Sequence, residues 1–264
     1  MRIAYDLIGS RETGAVAIVE VPEGADPLEL AREVMRRHPH VKSVLRKSGG
    51  REGAHRVRPL ELIAGSPETE VIHKEHGYRL KLDPRLVYFS PREAAERQMI
   101  SELCRDGELI LLMFAGVGPY AIAIAMRRRV QVVGVEINPI AVRYFQENVR
   151  INRLGHRIFP VEGDVAYVVP AMSGRFDRVI MPLPLGAYSY VRQALIALSG
   201  DGGFIHFYYW GGEGALREAE ALFRREALSL GLDVRSVGYR VVSSYAPRID
   251  KIRIDFSVKP ASLK

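Results

Sequence analysis

The first third of the chain combines short apolar segments with one helical segment. One segment alternates apolar and polar residues as a half-buried strand does, and another follows Asp26 with a proline at its first turn, which is typical of a helix start. The predicted strands are AVAIVEV (15–21), VKSVL (41–45) and two on either side of His76-Gly77 within ETEVIHKEHGYRLKLD (68–83), and the predicted helix is PLELAREVMRRH (27–38). We therefore predict a small α+β domain over residues 1–83.

Residues 84–264 follow a different, more regular pattern. A connecting segment starts extended and becomes helical after Pro91, and Val- and Ile-rich strands then alternate with helices. Such alternation is typical of βαβ units in a parallel sheet covered by helices on both faces. The predicted strands are ELILLMF (108–114), VQVVGVEI (130–137), RIFPVEG (157–163), RVIMPLP (178–184), GGFIHFYYW (202–210) and two closing strands. This predicts an α/β, Rossmann-like domain whose ligand lies at the carboxyl ends of the strands.

The charge of the chain narrows the choice of partner. Of 38 basic residues 31 are arginine, and the formal net charge is +7. The planar guanidinium group fits phosphate, so an anionic partner such as nucleic acid is favoured. Thermal adaptation explains the same excess through surface ion pairs, and three Asn and four Gln agree with it. Both interpretations remain open on composition alone.

Several classes of protein are disfavoured. No apolar run approaches the roughly 18 residues of a membrane span, and the first residues lack the pattern of a secretory signal. One cysteine, Cys104, excludes an internal disulfide and a cysteine-based zinc site. His73, His76 and His206 have no metal-ligand spacing, so we expect them to be structural and expect no metal. We therefore expect a cytoplasmic protein without membrane contact.

The turn after the first strand of the predicted parallel sheet is the candidate cofactor site. Gly116 and Gly118 allow backbone N–H groups to approach a ligand, and Glu136 ends the second strand, where a carboxylate suits a ribose diol. Asp164 follows the third strand and is placed to accept an adenine amine. The full G-x-G-x-x-G fingerprint is missing, so S-adenosylmethionine fits better than a dinucleotide. Similar turns and acidic strand ends also occur in α/β domains that bind nothing.

Six short motifs in order give the chain a resemblance to a known family. These motifs are HKEHG (73–77), YFSPR (88–92), FAGVGP (114–119), VEINP (135–139), HFYYW (206–210) and SYAPR (244–248). They resemble the archaeal and eukaryotic tRNA (guanine-37 N1)-methyltransferases from about residue 3 to residue 258. The resemblance implies a class I methyltransferase fold, S-adenosylmethionine as cofactor and tRNA as partner at position 37. We expect a monomer.

A sister family, the wybutosine-pathway aminocarboxypropyl transferases, shares this fold and cofactor. It typically has GHL or a similar triplet where Gly118-Pro119-Tyr120 stands, a lysine after the acidic residue of the second strand, and MGY after the fourth strand. This chain has GPY, EIN and MPL at those positions, which favours the methyltransferases. A small-molecule methyltransferase, or an RNA-binding module without activity, remains a further alternative.

The resemblance also implies roles for individual residues. Guanine N1 must lose a proton while charge grows on O6, so a carboxylate and a fixed cation are needed. The match gives these roles to Glu96 and Arg56, which without it would be an exposed helix-first-turn acid and a solvated loop cation. It places Tyr88 and Arg97 beside the methionine end of the cofactor, although Tyr88 is equally a candidate core aromatic. The remaining implied cofactor residues are Phe114, Gly116, Gly118, Glu136, Ile137 and Asp164.

Two departures from the family pattern matter. The family usually has Asn-Leu-Pro after the fourth strand, where the amide contacts the target base, whereas this chain has proline at position 182. Pro182 offers no side-chain hydrogen bond, so we expect a wider or more apolar base slot, and methylation of carbon 7 of the tricyclic wyosine precursor is a second hypothesis. Many archaeal members also begin with an additional small domain, and this chain begins where their middle domain does. We therefore expect weaker discrimination of whole tRNA from an isolated anticodon stem-loop.

Overall fold

The computed structural model describes residues 4–49, 57–183, 186–246 and 248–261. Its first part is a four-stranded sheet in the order β1-β2-β3-β4 with one helix packed on it. Asp26 caps that helix by accepting a hydrogen bond from the Leu28 N–H group. The elements are β1 (Tyr5–Ser10), β2 (Gly14–Val19), α1 (Pro27–Arg37), β3 (Val41–Lys47) and β4 (Leu60–Gly65).

The predicted elements of this part are confirmed, and β1 and β4 are strands that the apolar pattern does not reveal. Both are edge strands of the sheet, so most of their side chains are only partly buried and their sequences mix apolar and charged residues. The two strands predicted around His76-Gly77 form a hairpin, β5 (Val71–Glu75) and β6 (Tyr78–Leu82). The hairpin turn places both central residues at positive φ, 43° and 88°.

The hairpin packs against the second part of the molecule. The buried side chain of Asn148 donates to the carbonyls of Lys81 and Val117, both at 3.0 Å, and accepts from the Lys81 N–H group at 2.6 Å. Buried apolar residues of the hairpin belong to the same hydrophobic core as those of the parallel sheet. The boundary predicted at residue 83 therefore marks a change in sequence pattern, while the residues before and after it share one hydrophobic core.

The connecting segment begins with a turn, in which the Leu86 and Val87 N–H groups donate to the Asp83 carbonyl, instead of the extended start that the sequence predicts, and it becomes helical after Ser90. A single 3-10 turn, Pro91–Glu93, leads into α2 (Ala94–Leu103), as the sequence predicts. Glu96 and Arg97 lie in the first turn of α2, and both are buried. Two charged side chains therefore enter the interior at the start of this helix.

The second part is a seven-stranded sheet in the order β12-β13-β11-β10-β7-β8-β9. Five neighbouring strands are parallel, which confirms the predicted sheet, whereas β13 runs antiparallel to both of its neighbours. The strands are β7 (Leu109–Met113), β8 (Gln131–Glu136), β9 (Ile158–Glu162), β10 (Arg178–Met181), β11 (Gly203–Gly211), β12 (Leu232–Ala246) and β13 (Ile249–Pro260). The helices are α3 (Pro119–Arg127), α4 (Pro139–Ile151), α5 (Val165–Val168), α6 (Val191–Ala197) and α7 (Ala215–Leu228).

This strand order creates a switch point beside β7. The chain moves from β7 to β8 and β9 on one side and later to β10 and β11 on the other, so a crevice opens at the carboxyl end of β7. Among the described residues, no helix is long and apolar enough to cross a membrane. Within the same residues, no three His, Cys, Asp or Glu side chains are grouped as a metal ion requires.

Candidate active site

A cavity of about 410 Å³ lies at this switch point and is lined by both parts of the molecule. The first part contributes charged side chains, and the parallel sheet contributes the glycine turn after β7 and the ends of β8, β10 and β11. The charged lining residues are Asp6, Glu20, Lys47, Arg58, Arg92, Glu93, Arg97, Glu136 and Lys251. The cavity is therefore lined by the predicted cofactor turn and by a wall that carries both basic and acidic side chains.

The two glycines of the turn have different neighbours. Gly116 has a φ of 56° and lines the cavity, and a Cβ there would approach only the Tyr88 carbonyl, at 4.0 Å. Gly118 has a φ of 83°, and a Cβ there would meet the ring of Phe145 at 2.0 Å. Gly116 is thus open to a ligand, as predicted, whereas the structure places Gly118 behind the cavity wall, against a buried ring.

Glu136 is fixed at the end of β8 by backbone groups. Its Oε2 atom accepts from the Gly116 N–H group at 2.7 Å, and its Oε1 atom accepts from the Asn138 N–H group at 2.8 Å. The carboxylate lines the cavity with the adjacent Ile137. A carboxylate held in this way keeps lone pairs for the hydroxyl groups of a ribose, and Ile137 offers an apolar surface beside it.

Asp164 follows β9, as the sequence predicts, and its contact with adenine stays a prediction. It caps the short helix α5, with its Oδ1 atom accepting from the Ala166 N–H group at 2.8 Å, and it is not among the residues that line the cavity. The structure therefore does not bring Asp164 together with Glu136 at the cavity surface. Local helix capping is the role that the geometry gives its side chain.

Three predicted residues line the cavity around the turn. Tyr88 is 43% exposed and faces the cavity, so it is not a core aromatic. Phe114 packs edge-on against Tyr190, with ring centroids 5.1 Å apart, and keeps its backbone at a φ of 58°. Pro182 and Leu183 also line the cavity. Two aromatic residues of β11 have different surroundings, since Tyr208 is buried and Trp210 lines the cavity.

Arg97 is committed to a buried ion pair. Its Nε and Nη2 atoms donate to the two oxygens of Glu75 at 2.8 and 2.5 Å, and Nη2 also donates to the Ser90 carbonyl at 3.2 Å. Burial acts to raise the pKa of Glu75, but hydrogen bonds from Arg97, His73 and Tyr78 and the charge of Arg97 together outweigh burial and hold that pKa at about 2. Arg97 thereby ties the segment that carries Tyr88 to the β5–β6 hairpin. No local pattern in the sequence indicates this partner, because Glu75 and Arg97 are 22 residues apart.

Glu96 is buried away from the cavity surface. It is 3% exposed and is not among the lining residues, so it is not an exposed helix acid. Three donors occupy its carboxylate, the Tyr208 hydroxyl at 2.7 Å, Arg253 Nη1 at 2.5 Å and Arg240 Nε at 3.1 Å. The structure therefore joins Glu96 to β11, β12 and β13 through these three donors, and its proton-accepting role stays a prediction. Arg56, the other residue with an implied catalytic role, lies outside the described residues.

A chain of buried polar groups continues from Glu96 across the sheet. Arg253 also donates to Asp255, and Asp255 Oδ1 lies 2.5 Å from His206 Nδ1. Arg178 donates to His206 Nε2 at 2.6 Å and to Glu108. Burial lowers the pKa of His206 despite the nearby Asp255, so the ring is neutral and accepts from Arg178. His206 therefore has a place within a structural network.

Glu93 and Lys251 form a second acid–base pair that does face the cavity. Lys251 Nζ lies 2.7 Å from Glu93 Oε1, and the Tyr120 hydroxyl lies 3.3 Å from Glu93 Oε2. The pair joins the turn before α2 to the start of β13, across 158 residues of sequence. The segment REAAER (92–97) contains Glu93 and Glu96 within one helical turn. The sequence pattern alone therefore does not show which of the two lines the cavity.

Comparison with known proteins agrees with this architecture. Residues 71–234 match the family model described as the TRM5/TYW2 methyltransferase domain. Over 258 residues the chain is 39% identical to the tRNA (guanine(37)-N(1))-methyltransferase Trm5b of Pyrococcus abyssi, covering 97% of this chain and 74% of that protein. The match to the family model begins at β5, so it includes the hairpin before residue 83.

Two solved structures are similar over almost the whole chain. The complex of aTrm5 with tRNALeu has a TM-score of 0.84 at 33% identity, covering 97% of this chain and 72% of that one. P. horikoshii TYW2 in complex with MeSAdo has a TM-score of 0.84 at 25% identity, covering 98% and 91%. With the family model matching more than half of its length, the chain belongs to the TRM5/TYW2 methyltransferase family.

Proposed function

We propose that this protein transfers the methyl group of S-adenosylmethionine to N1 of guanosine 37 in tRNA. The observation that carries the proposal is the single cavity that joins the Gly116–Glu136 turn to charged side chains of the first part. The similarity to Trm5b, whose name states this activity, and to a methyltransferase solved with tRNA supports the same reaction.

The cofactor would lie along the turn after β7. The carboxylate of Glu136 would bind the ribose hydroxyls, Ile137 would cover the adenine, and Gly116 would allow the close approach of the chain. Tyr88 and Phe114 would enclose the methionine end, with Arg97 holding the Tyr88 segment in place. The cofactor supplies an electrophilic methyl group. The related structure solved with MeSAdo supports a nucleoside-binding site in this family.

The target nucleotide would enter from the side of the first part. Guanosine 37 stands beside the anticodon, so its base must leave the stack to reach a buried methyl donor. Lys47, Arg58 and Arg92 line that side of the cavity, where they would face the phosphates of the RNA. A methyltransferase for small molecules would not need these three cations at the entrance.

Pro182 supports a second activity at the same nucleotide. It lines the cavity next to Leu183, so this wall offers apolar surface and no side-chain amide to a base. A tricyclic wyosine precursor is larger and more apolar than guanine, which fits such a wall. If carbon 7 of the precursor is methylated, Pro182→Asn should lower that rate at least severalfold while methylation of guanosine is kept. Full activity of the variant on the precursor would count against this second activity.

A double-label experiment tests the type of transfer. The protein is incubated with a guanosine-37 tRNA transcript and S-adenosylmethionine labelled with tritium in the methyl group and with carbon-14 in the carboxyl group. We expect tritium alone in the RNA, with no incorporation into a transcript that carries adenosine at position 37. Carbon-14 in a tRNA that carries 4-demethylwyosine at position 37, treated in the same way, would instead assign the aminocarboxypropyl transfer of the TYW2 proteins.

A further inference from the structure

The two carboxylate oxygens of Glu96 have different numbers of donors. Oε1 accepts two hydrogen bonds, from the Tyr208 hydroxyl at 2.7 Å and from Arg253 Nη1 at 2.5 Å. Among the described residues, Oε2 accepts a single, longer hydrogen bond, from Arg240 Nε at 3.1 Å. A general base needs one oxygen that can take a proton and a carboxylate that keeps its direction. Glu96 meets both needs, because it is anchored at one oxygen and lightly held at the other.

The donors at the two oxygens also differ in burial. Tyr208 on β11 is fully buried, and the Arg253 side chain on β13 is 6% exposed. The Arg240 side chain on the edge strand β12 is 39% exposed. Val242 and Ser243, which follow it on the same strand, line the cavity. Arg240 can therefore turn towards solvent, whereas the two donors to Oε1 cannot move unless the sheet repacks.

We propose that Tyr208 and Arg253 are positioning residues, which fix Glu96 through Oε1 so that Oε2 takes the N1 proton of the target guanine. The N1–H group of the base replaces the Nε–H group of Arg240 as the donor to Oε2. This inference rests on the proposed function and deepens it, because it assigns residues that act through the proton acceptor without contacting the base.

Arg253 is itself held in one orientation. Its Nε and Nη2 atoms donate to the two oxygens of Asp255 at 2.9 and 3.3 Å, while its Nη1 atom donates to Glu96. One planar guanidinium group thus bridges two carboxylates. Asp255 is held in turn by His206, whose Nδ1 atom lies 2.5 Å from Asp255 Oδ1. A lysine, with a single ammonium group, cannot keep both carboxylate contacts in this geometry.

The Tyr208 hydroxyl is a constant donor. Burial, with the nearby Tyr120 and Glu96 acting in the same direction, raises the pKa of Tyr208 well above its usual value. The hydroxyl therefore keeps its proton and donates to Oε1. The Tyr208 ring packs edge-on against Tyr120, with centroids 6.2 Å apart. Replacement by phenylalanine removes the donor and keeps this packing.

The step moves one proton and one methyl group. The N1–H proton passes to Oε2 of Glu96, and the electron pair left on N1 forms the bond to the methyl carbon as the bond from that carbon to sulfur breaks. The electron pair of the broken bond stays on sulfur and neutralises its positive charge. Glu96 then releases the proton to water, while the hydrogen bonds at Oε1 are kept throughout.

The test is a double-variant cycle of Tyr208→Phe and Glu96→Gln in single-turnover methylation of a guanosine-37 transcript. We expect Glu96→Gln to lower the rate roughly 100-fold or more, as loss of a general base does. Tyr208→Phe should lower it roughly 10-fold, which corresponds to one hydrogen bond to a charged group. In the Glu96→Gln background, Tyr208→Phe should change the rate by less than about twofold, because a residue that acts through Glu96 has no base left to position.

Two arginine variants test the two oxygens separately. Arg253→Lys keeps a positive charge near Oε1 but loses the bridge to Asp255, so it should lower the rate roughly 10-fold or more. Arg240→Met removes the donor that the N1–H group replaces, so its rate at saturating tRNA should be at least that of the parent. The affinity for S-adenosylmethionine should stay within about twofold in every variant, because the proposal places none of these residues at the cofactor.

A control and a pH profile separate positioning from folding. Tyr144→Phe removes a comparable hydrogen bond, from the Tyr144 hydroxyl to Glu70 at 2.9 Å, and neither residue lines the cavity. This variant should keep the parent rate. The ratio of the parent rate to the Tyr208→Phe rate should narrow as the pH rises, because N1 then loses its proton without a positioned base. Thermal unfolding of each variant accompanies the rates, since a folding defect would not be relieved by higher pH.

Three results would overturn the inference. One is a Tyr208→Phe rate close to that of the parent, and another is an equal loss from Tyr208→Phe with and without Glu96→Gln. The third is an Arg240→Met rate well below the parent rate at saturating tRNA. A Glu96→Gln variant that keeps the parent rate would remove the proton-accepting role and this inference with it. A parent protein that leaves guanosine 37 unmethylated would remove the proposed function itself, so the two failures are distinguishable.

Discussion

At the scale of single residues, two glycines two positions apart in one turn have different tasks. Gly118→Ala places a methyl group 2.0 Å from the buried ring of Phe145 and at a φ of 83°. We expect it to lower the free energy of unfolding by roughly 2–5 kcal/mol, from left-handed strain and overpacking together.

Gly116→Ala is the matched comparison, because its φ is also positive but its Cβ would point into open space beside the cavity. We expect a stability loss of roughly 1–2 kcal/mol from strain alone, with a clear loss of affinity for S-adenosylmethionine. Urea unfolding and calorimetric titration of the two variants measure both quantities. Equal affinity in Gly116→Ala and the parent would show that the turn does not contact the cofactor.

Ionisation of Glu75 should make the free energy of unfolding depend on pH in a range that can be assigned to this residue. Its pKa is about 2 in the folded chain against a usual value of 4.5, because hydrogen bonds from Arg97, His73 and Tyr78 and the charge of Arg97 outweigh the opposing effect of burial. A carboxyl group with a lowered folded pKa stabilises the fold above its unfolded pKa and loses that contribution as the pH falls through the folded value. The contribution of Glu75 should therefore disappear between about pH 4.5 and pH 2.

The variant Glu75→Gln tests this assignment. At neutral pH it leaves Arg97 buried without its carboxylate, which should cost about 3–5 kcal/mol of unfolding free energy. The difference in stability between parent and variant should narrow as the pH falls from 4.5 towards 2. A difference that stays constant over this range would contradict the lowered pKa of Glu75.

At the scale of elements, the apolar pattern predicts the strands that consist of a continuous apolar run. It misses the strands and the helix whose conformation depends on a neighbouring strand or on a cap. The interior strands β7, β8 and β10 are continuous apolar runs, and the pattern finds them. The edge strands β1 and β4 and the four-residue helix α5 have no such run. Their conformation depends on pairing and on the cap provided by Asp164.

The candidate site also contains residues that a local pattern predicts and residues that only the fold brings together. Residues read from turn chemistry, such as Gly116 and Glu136, lie at the cavity as predicted. The pairing of Glu93 with Lys251, and of Arg97 with Glu75, joins residues far apart in sequence, so no local pattern contains them. Contacts with β11 and β13 bury Glu96, and these strands lie more than 100 residues further along the chain.

The contribution of the contact between the β5–β6 hairpin and α4 to stability can be tested by changing a single side chain. Asn148→Ala removes three hydrogen bonds to backbone groups of Lys81 and Val117. We expect a loss of about 1–3 kcal/mol for buried polar groups left unsatisfied. Hydrogen exchange at the Lys81 amide should accelerate selectively in the variant. Unchanged exchange there would mean that the hairpin does not depend on this contact.

At the scale of the whole molecule, the positive charge predicts how RNA binding depends on salt. A net charge of +7 and the cations Lys47, Arg58 and Arg92 at the cavity favour contacts to several phosphates, and each contact releases counterions. We expect the logarithm of the affinity for tRNA to fall linearly with the logarithm of salt concentration, with a slope of several units. Binding of S-adenosylmethionine in the same buffers should change little, and a flat response for tRNA would favour a small-molecule substrate.

The most direct test of the whole account is the identity of the product. The purified protein is incubated with S-adenosylmethionine and a tRNA transcript that carries guanosine 37, and the RNA is digested and analysed by nucleoside mass spectrometry. We expect one 1-methylguanosine per tRNA at completion, and no 1-methylguanosine in a transcript with adenosine at position 37. An unmodified guanosine, or a methyl group on another atom or position, would contradict it.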